Sequence, residues 1–402
     1  MTFNILGSCD KFSNKTKLLL IAKIYFFMFV NGFINSFESC TFERVKIQHS
    51  YDIVPEEFCI RAIGYLFYAI LSSYLPMRVT EILTFSIMCV SFILLFFPKN
   101  YILFIYTYTL YLFSKSFLMA SLASYGCVIL TGKNKALLIN ILHFFYGIGM
   151  LIGNALSAFN DLDVNSYIVI NLLLLLLCIT ISSILTSSIN EIHEAEEKRI
   201  PVYQVMTIPI VYVLSVLMFT MRLTENGLLN DVNNYFSTVY PDYMKSLSVD
   251  YTTGILLFYT FSRCFFGAFI DRIGHIKSLF FLLLFLLLVI ILGIVSHQYG
   301  LWFFFVSGLF LGPLFPTCIT IISDLLTEDI LIHMDLILCF SYFLCSLFHT
   351  FLESILFHYN AITEMWSFVG YLVLSLLLLI YVYYVFKKKQ NTYEYTFYLL
   401  PL

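Results

Sequence analysis

The sequence predicts an all-α membrane protein of about twelve transmembrane helices in two six-helix halves. Three observations predict it. Of the 402 residues, 60% are hydrophobic and 12% charged, and the mean hydropathy is +0.89, whereas an ordinary soluble domain has an apolar share of roughly 45 to 50%. The apolar residues gather into runs long enough to span a bilayer. The chain also repeats itself: Asn31-Gly32-Phe33-Ile34-Asn35 matches Asn226-Gly227-Leu228-Leu229-Asn230, and Gly64 and Ser72 match Gly254 and Ser262, so that each copy opens its own half.

The first segment, 1–17, is polar and carries Lys11, Lys15 and Lys17. The apolar run that follows reaches Phe37 without a small-residue cleavage site, which marks a retained span and not a signal peptide. A span needs about 20 mostly apolar residues. Measured against that length, the N-terminal half, 18–188, offers Leu18 to Phe37, Ile60 to Leu75, Ile82 to Phe97, Tyr101 to Leu130, Ala136 to Phe159 and Tyr167 to Thr186. Pro76 and Pro98 close the second and third runs. A charged connector, 189–201, separates the halves. The C-terminal half, 202–386, offers Val202 to Asn230, Tyr251 to Phe269, Ile276 to Ser296, Leu301 to Leu326, Ile330 to Phe357 and Met365 to Phe386, before a tail at 387–402.

Lysine and arginine set the orientation, because they favour the cytoplasmic side of short loops. A cytoplasmic N-terminus collects Lys11, Lys15, Lys17, Arg78, Lys133, Lys135, Lys198, Arg199, Arg272, Lys277 and Lys387 to Lys389 inside, against Arg44, Lys46, Arg61, Lys99 and Lys245 outside. Both termini are then expected in the cytoplasm of a plasma-membrane monomer. Cys40 and Cys59 flank the first outside loop, placed either to bridge or to sit as small apolar residues near helix ends.

Composition also excludes function classes. A net charge of −3 supplies no basic surface for nucleic acid. The cysteines stand singly with no CxxC pair, so neither a zinc site nor a redox motif is supported. No metal-spaced histidine pair, serine elbow or phosphate-binding glycine pattern occurs, and the chain reads as neither an enzyme nor a cofactor binder.

The most unusual stretch is Arg222 to Tyr235, RLTENGLLNDVNNY, where charges and amides interrupt an apolar run. Arg222, Glu225, Asn226 and Asn230 recur at steps of three to four and so form one polar stripe on a helix. A charge near the bilayer centre costs roughly 2.5 to 3.5 kcal/mol on insertion scales. The stripe therefore faces protein or water. Asn31, Asn35 and Glu38 form a similar face on the first span, and Lys115 sits between Ser114 and Ser116 deep in the fourth.

The stretch Arg263-Cys264-Phe265-Phe266-Gly267-Ala268-Phe269-Ile270-Asp271-Arg272-Ile273-Gly274 closes the eighth run. It resembles the R-x3-G-x3-D-R-x-G signature of the major facilitator superfamily. Gly267 allows close helix approach, and Asp271 is placed to stabilise a neighbouring helix N-terminus or to pair with Arg272 across a gate. The matching place in the first half, Met77-Arg78-Val79-Thr80-Glu81, keeps one base and one acid and lacks the glycine and the D-R pair. His143 to Gly153 looks like the family's small-residue fifth helix, and Gly308 to Thr317 looks like the tenth helix of fucose-permease-like sugar porters. The Arg263 to Asp271 segment is also similar to the eighth helix of monocarboxylate and oxalate/formate-type carriers, in which an acid usually lies four residues before the arginine; Tyr259 stands there instead.

The resemblance implies two halves rocking about a midplane site lined by helices one, four, seven and ten. On those helices Asn31, Asn35, Lys115, Arg222, Asn226 and Asn230 are the expected substrate contacts, joined by Tyr259 and Arg263 from the eighth. Amides suit hydroxyl-bearing solutes, and a fixed Lys or Arg suits an anion. Pro313 and Pro316 break the tenth helix and free backbone carbonyls. Proton or sodium coupling would fall to Glu38 or Glu225, although Arg222 beside Glu225 equally allows a fixed ion pair that braces the helix. His349 and Glu353, one turn apart, read as a helix–helix hydrogen bond, and His143 as packing or a polar bridge. The expected function is a secondary transporter of a sugar or organic anion, working either as an ion-driven symporter or as a facilitator. The alternative is a membrane receptor or scaffold that retains the fold without transporting.

Overall fold

The computed structural model describes residues 14–49, 57–71, 77–97, 101–130, 134–158, 164–185, 202–242, 251–326, 334–356 and 361–391. The sequence expectations for the connector and the terminal segments lie largely outside these residues, as do the side chains of Glu38, Cys40, Arg78, Asn230, His349 and Glu353.

Six helices make the first group: α1 (Asn14–His49), α2 (Glu57–Leu71), α3 (Met77–Leu94), α4 (Tyr101–Ile129), α5 (Lys135–Ala158) and α6 (Val164–Leu185). A single helical turn, Val202–Val205, precedes the second group, which begins with α7 (Pro209–Val239) and α8 (Tyr251–Ile273). Then come α9 (His275–Val295), α10 (Gly300–Leu311), α11 (Leu314–Leu325), α12 (Met334–Leu356) and α13 (Ala361–Asn391). Among the described residues, eight segments are long and apolar enough to cross a membrane, counting α10 and α11 as one, and α2, α3 and α12 supply shorter apolar helices. Helix α7 is 31 residues long, its apolar character interrupted by Arg222 and Glu225.

Local chemistry explains where the helices differ from the hydropathy runs. The seventh run was expected to begin at Val202, but the continuous helix starts at Pro209. Proline has no N–H to give to a preceding turn, and it suits the first helical position. The turn from α8 to α9 is a single residue, Gly274, with φ 100°, a conformation that a side chain would strain. At the tenth run, α10 ends at Leu311 and α11 restarts at Leu314 around Gly312 and Pro313.

Glycines bring α1 and α5 into backbone contact. A Cβ on Gly32 would sit 1.9 Å from the Tyr146 carbonyl oxygen, and one on Gly149 would sit 2.1 Å from that of Phe29. Membrane helices associate through such close van der Waals packing because lipid offers no hydrophobic drive between them. The two groups meet along a seam in which α5 packs on α8 and α11, while α2 and α4 pack on α12. Gly147 of α5 lies against Thr260 of α8, and Gly267 of α8 lies against Leu137 of α5.

Candidate functional site: a polar centre on the seam

Four helices of the second group carry charge, hydroxyl and ring groups to the middle of the seam. Arg222 and Glu225 lie three apart on α7, so their side chains project from one face. Arg222 Nη1 donates to Glu225 Oε2 at 2.8 Å. Its Nε donates to the Tyr342 hydroxyl of α12 at 3.0 Å, and its Nη2 donates to the same oxygen. The guanidinium also lies 5.3 Å from the centre of the Phe315 ring on α11. The other Glu225 oxygen accepts the hydroxyl of Tyr259 on α8. One carboxylate thus draws α7 and α8 together, and one guanidinium draws α7 and α12 together.

Arg263, one turn beyond Tyr259, is 1% exposed. Its guanidinium carbon is 4.0 Å from the Tyr259 ring centre. Arg263 Nε donates to the Gly312 carbonyl at 2.9 Å, and Nη1 donates across the seam to the His143 carbonyl of α5 at 2.6 Å. The Gly312 carbonyl is available because the residue four positions on is Pro316, which has no N–H to close the helical bond. His143 itself packs edge-on to Phe315, ring centres 5.1 Å apart. Its imidazole is part of the packing around the guanidiniums.

The first group contributes Tyr65 of α2, which stacks on Tyr342 with ring centres 5.0 Å apart. Phe58 approaches the same ring at 6.3 Å. These aromatics cover part of the centre, and the Arg222 and Glu225 side chains keep 22% and 11% of their surface exposed. An apolar groove of about 370 Å³ lies elsewhere, lined by Phe29, Phe33, Ile152, Ile170, Leu173 and Leu174. Ile152 and Leu173 are exposed, and the lining suits lipid rather than a polar solute.

The structure brings together four of the residues singled out in the sequence, Arg222, Glu225, Tyr259 and Arg263. Asn226 is half-buried beside them on α7. Asn31 is buried, with its amide nitrogen 2.5 Å from the Met119 sulfur of α4. Lys115 is also buried, its ammonium 5.5 Å above the Tyr111 ring, one turn from Met119 on α4. Asn35 is half-buried on α1. Tyr65, Phe315 and Tyr342 were not singled out, since three rings among 29 tyrosines and 43 phenylalanines carry no distinguishing pattern.

A second polar group ties the seam at the end where α8 finishes and α5 begins. The backbone N–H groups of Ala136 and Leu137 donate to the two oxygens of Asp271 at 3.0 and 2.9 Å. Those N–H groups belong to the first turn of α5, which has no intrahelical acceptors for them, and the carboxylate also meets the positive end of the helix dipole. His275 lies 3.3 Å from Asp271 and 2.5 Å from Asp324 of α11. Lys135 reaches Asp324 at 3.4 Å. Arg272, the other half of the D-R pair, is exposed.

The family model described as Major Facilitator Superfamily matches residues 58–330. No curated protein matches the sequence. Among solved structures, the E. coli fucose:proton symporter FucP superposes with a TM-score of 0.69 at 13% identity, covering 91% of this chain and 99% of that one. The human organic anion transporter MFSD10 (TETRAN) gives 0.65 at 10% identity, covering 90% and 99%. The proton:xylose symporter XylE bound to 6-bromo-6-deoxy-D-glucose gives 0.70 at 12% identity, covering 92% and 96%.

Proposed function

The chain belongs to the Major Facilitator Superfamily, and from that membership we propose that it is a secondary transporter carrying a small polar metabolite across a membrane by alternating access. The halves 18–188 and 202–386 rock about the seam, with both termini in the cytoplasm and the plasma membrane as the site of action. The observation that carries the reading is the Arg222–Glu225 pair, linked to Tyr342 and Tyr259 at the centre of the seam. A buried charged pair is weak as a source of stability, and intramembrane charges mark solute or ion pathways.

The similar folds include two sugar:proton symporters and an organic anion transporter, and a fold by itself does not choose among substrates. Local charge favours a neutral polyhydroxy solute. Arg263 is held by two carbonyls, and Arg222 by Glu225 and Tyr342. An incoming carboxylate must displace protein groups to reach either one. Asn31, Asn35, Asn226 and Asn230 supply the paired donors and acceptors that hydroxyl groups use, and Lys115 stands nearer the first-group amides. Glu225 and Glu38 are the proposed groups for proton or sodium coupling. Opening the seam withdraws Tyr65 from Tyr342 and lets water reach Glu225, which changes how firmly it holds a cation.

The deciding experiment is thermal stability of the purified protein against sugars, amino acids, nucleosides and carboxylates. A ligand that binds only the folded state adds about 2.7 kcal/mol at a hundred times its Kd. Stabilisation by a sugar supports the amide-lined reading. Stabilisation by a carboxylate alone replaces it with an anion carrier built on Arg222, Arg263 or Lys115, and silence from every class favours the non-transporting receptor.

A further inference from the structure

We propose that Lys23, Glu81 and Ser182 form a proton-binding site inside the first six helices, separate from the Arg222–Glu225 centre. Lys23 comes from α1, Glu81 from α3 and Ser182 from α6. The Lys23 ammonium is 2.5 Å from Glu81 Oε2, and neither side chain has exposed surface. Ser182 Oγ donates to the same oxygen at 2.9 Å. The other carboxylate oxygen, Oε1, is buried without a hydrogen-bond partner, and the ammonium makes no hydrogen bond beyond the ion pair.

Stability does not account for this arrangement. An ion pair stripped of water is often no better than apolar residues of the same volume, and a half-satisfied buried network is worse than either. A carboxylate with one bare oxygen is instead ready to take a proton. The proton adds to Oε1 without displacing Ser182 or Lys23, the carboxylate becomes a neutral acid, and Lys23 keeps its own proton. The ion pair becomes an ion–dipole contact, and a buried ammonium is left without a counter-charge, which is strongly unfavourable. Lys23 lies five residues from the exposed Leu18, so its flexible stem can carry the charge toward that end of the helix.

The surroundings add no second counter-charge at the described side chains. Lys115 of α4 sits beside Tyr111, which packs on Phe92 about three turns further along α3. Thr84 uses its hydroxyl on the Thr80 carbonyl. The consequence of protonation travels through α1, because α1 is in backbone contact with α5 at Gly32 and Gly149. Helix α5 in turn carries both His143 and the N-terminus held by Asp271. Loosening α1 from α3 and α6 thus bears directly on the seam.

The site rests on the transporter reading only for the use made of the proton, so it is tested without substrate. The full-length protein in nanodiscs is stepped between about pH 8 and pH 5 while infrared difference spectra record the protonated-carboxyl band. The band is expected in the wild type and in Glu225→Gln, and it is expected to vanish in Glu81→Gln. Ser182→Ala removes a hydrogen bond to the ionised form, so the band should appear at higher pH. A band that persists in Glu81→Gln, or no band in the wild type, overturns the proposal. If Glu81→Gln does not fold, an unmoved band in Ser182→Ala overturns it instead. Failure of every candidate solute in the stability panel leaves this readout unaffected.

Discussion

Arg263 and Pro316 are linked through one carbonyl. Pro316 cannot donate to Gly312, and Arg263 Nε takes up the Gly312 oxygen at 2.9 Å while Nη1 holds the His143 carbonyl on the other side of the seam. The broken helix and the buried arginine solve each other's problem: the carbonyl gains a donor, and the charge gains a dipole. The same residue joins the two halves at their centre.

Arg263→Lys should therefore destabilise the protein even though charge is kept. A lysine offers a point charge where a planar fork spans two carbonyls, and hydrogen bonds involving a charged group are worth about 1.5–3 kcal/mol. Pro316→Ala should cost less, within about 1 kcal/mol, since it provides the missing N–H while displacing Arg263 from Gly312. Thermal unfolding of the purified variants checks the order. Equal melting of Arg263→Lys and the wild type would remove the bridge from the account.

Much of this centre was legible in the sequence. Arg222 and Glu225 stood out because charge in an apolar run is expensive, Arg263, Gly267, Asp271 and Gly274 stood out by the signature spacing, and Tyr259 by standing where similar carriers have an acid. The aromatic partners were not legible, since rings serve both lipid contact and packing, and only three-dimensional placement separates Tyr342 from Tyr384. Lys23 was visible by the signal that marked Lys115, a lysine inside an apolar run. Its partner was hidden because Glu81 lies on another helix, at the edge of a segment noted only for the signature it lacks. Helix order and existence followed hydropathy closely. The restart at Pro209 and the division between α10 and α11 depended instead on where single prolines fall.

Glu225→Gln should separate ion coupling from solute binding. The amide keeps a partner for Tyr259 but no longer balances Arg222, so uptake driven by an imposed ion gradient is expected to fall or change its ion dependence, while exchange of solute continues. Asn226→Ala should do the reverse, raising the Kd with coupling intact. Both are measured in proteoliposomes with the solute that stabilises the protein. Unchanged gradient-driven uptake in the Gln variant would remove Glu225 from the mechanism.

Asp271→Asn should open the seam at its Asp271 end. The carboxylate takes two N–H groups of α5 and faces His275, and a charge at a helix N-terminus contributes about 0.3–1 kcal/mol, up to about 2 where partly buried. The amide keeps one acceptor oxygen and loses the charge. A cysteine placed at Leu137, beneath Gly267, should react faster with a membrane-impermeant thiol reagent in the Asn background. The same rate in both backgrounds would mean that Asp271 does not hold this end closed.

Substituting glycines ranks the helix contacts by what an added methyl group meets. At Gly370 nothing lies within 4 Å, so Gly370→Ala should be neutral or stabilising by up to about 1 kcal/mol from helix propensity. At Gly254 the obstacle is the ring edge of Phe305, 2.3 Å away, a side chain able to turn, and overpacking of that kind costs about 1–3 kcal/mol. At Gly32 the obstacles are the carbonyl oxygen, carbonyl carbon and Cα of Tyr146 at 1.9, 2.8 and 3.0 Å. Backbone cannot turn aside, so α1 must move away from α5 along its length, and Gly32→Ala should be the most damaging of the three. Thermal unfolding followed by size-exclusion chromatography measures all of them. If Gly32→Ala melts no lower than Gly254→Ala, the α1–α5 contact is looser than backbone against backbone, and it cannot carry a change at Lys23 to the seam.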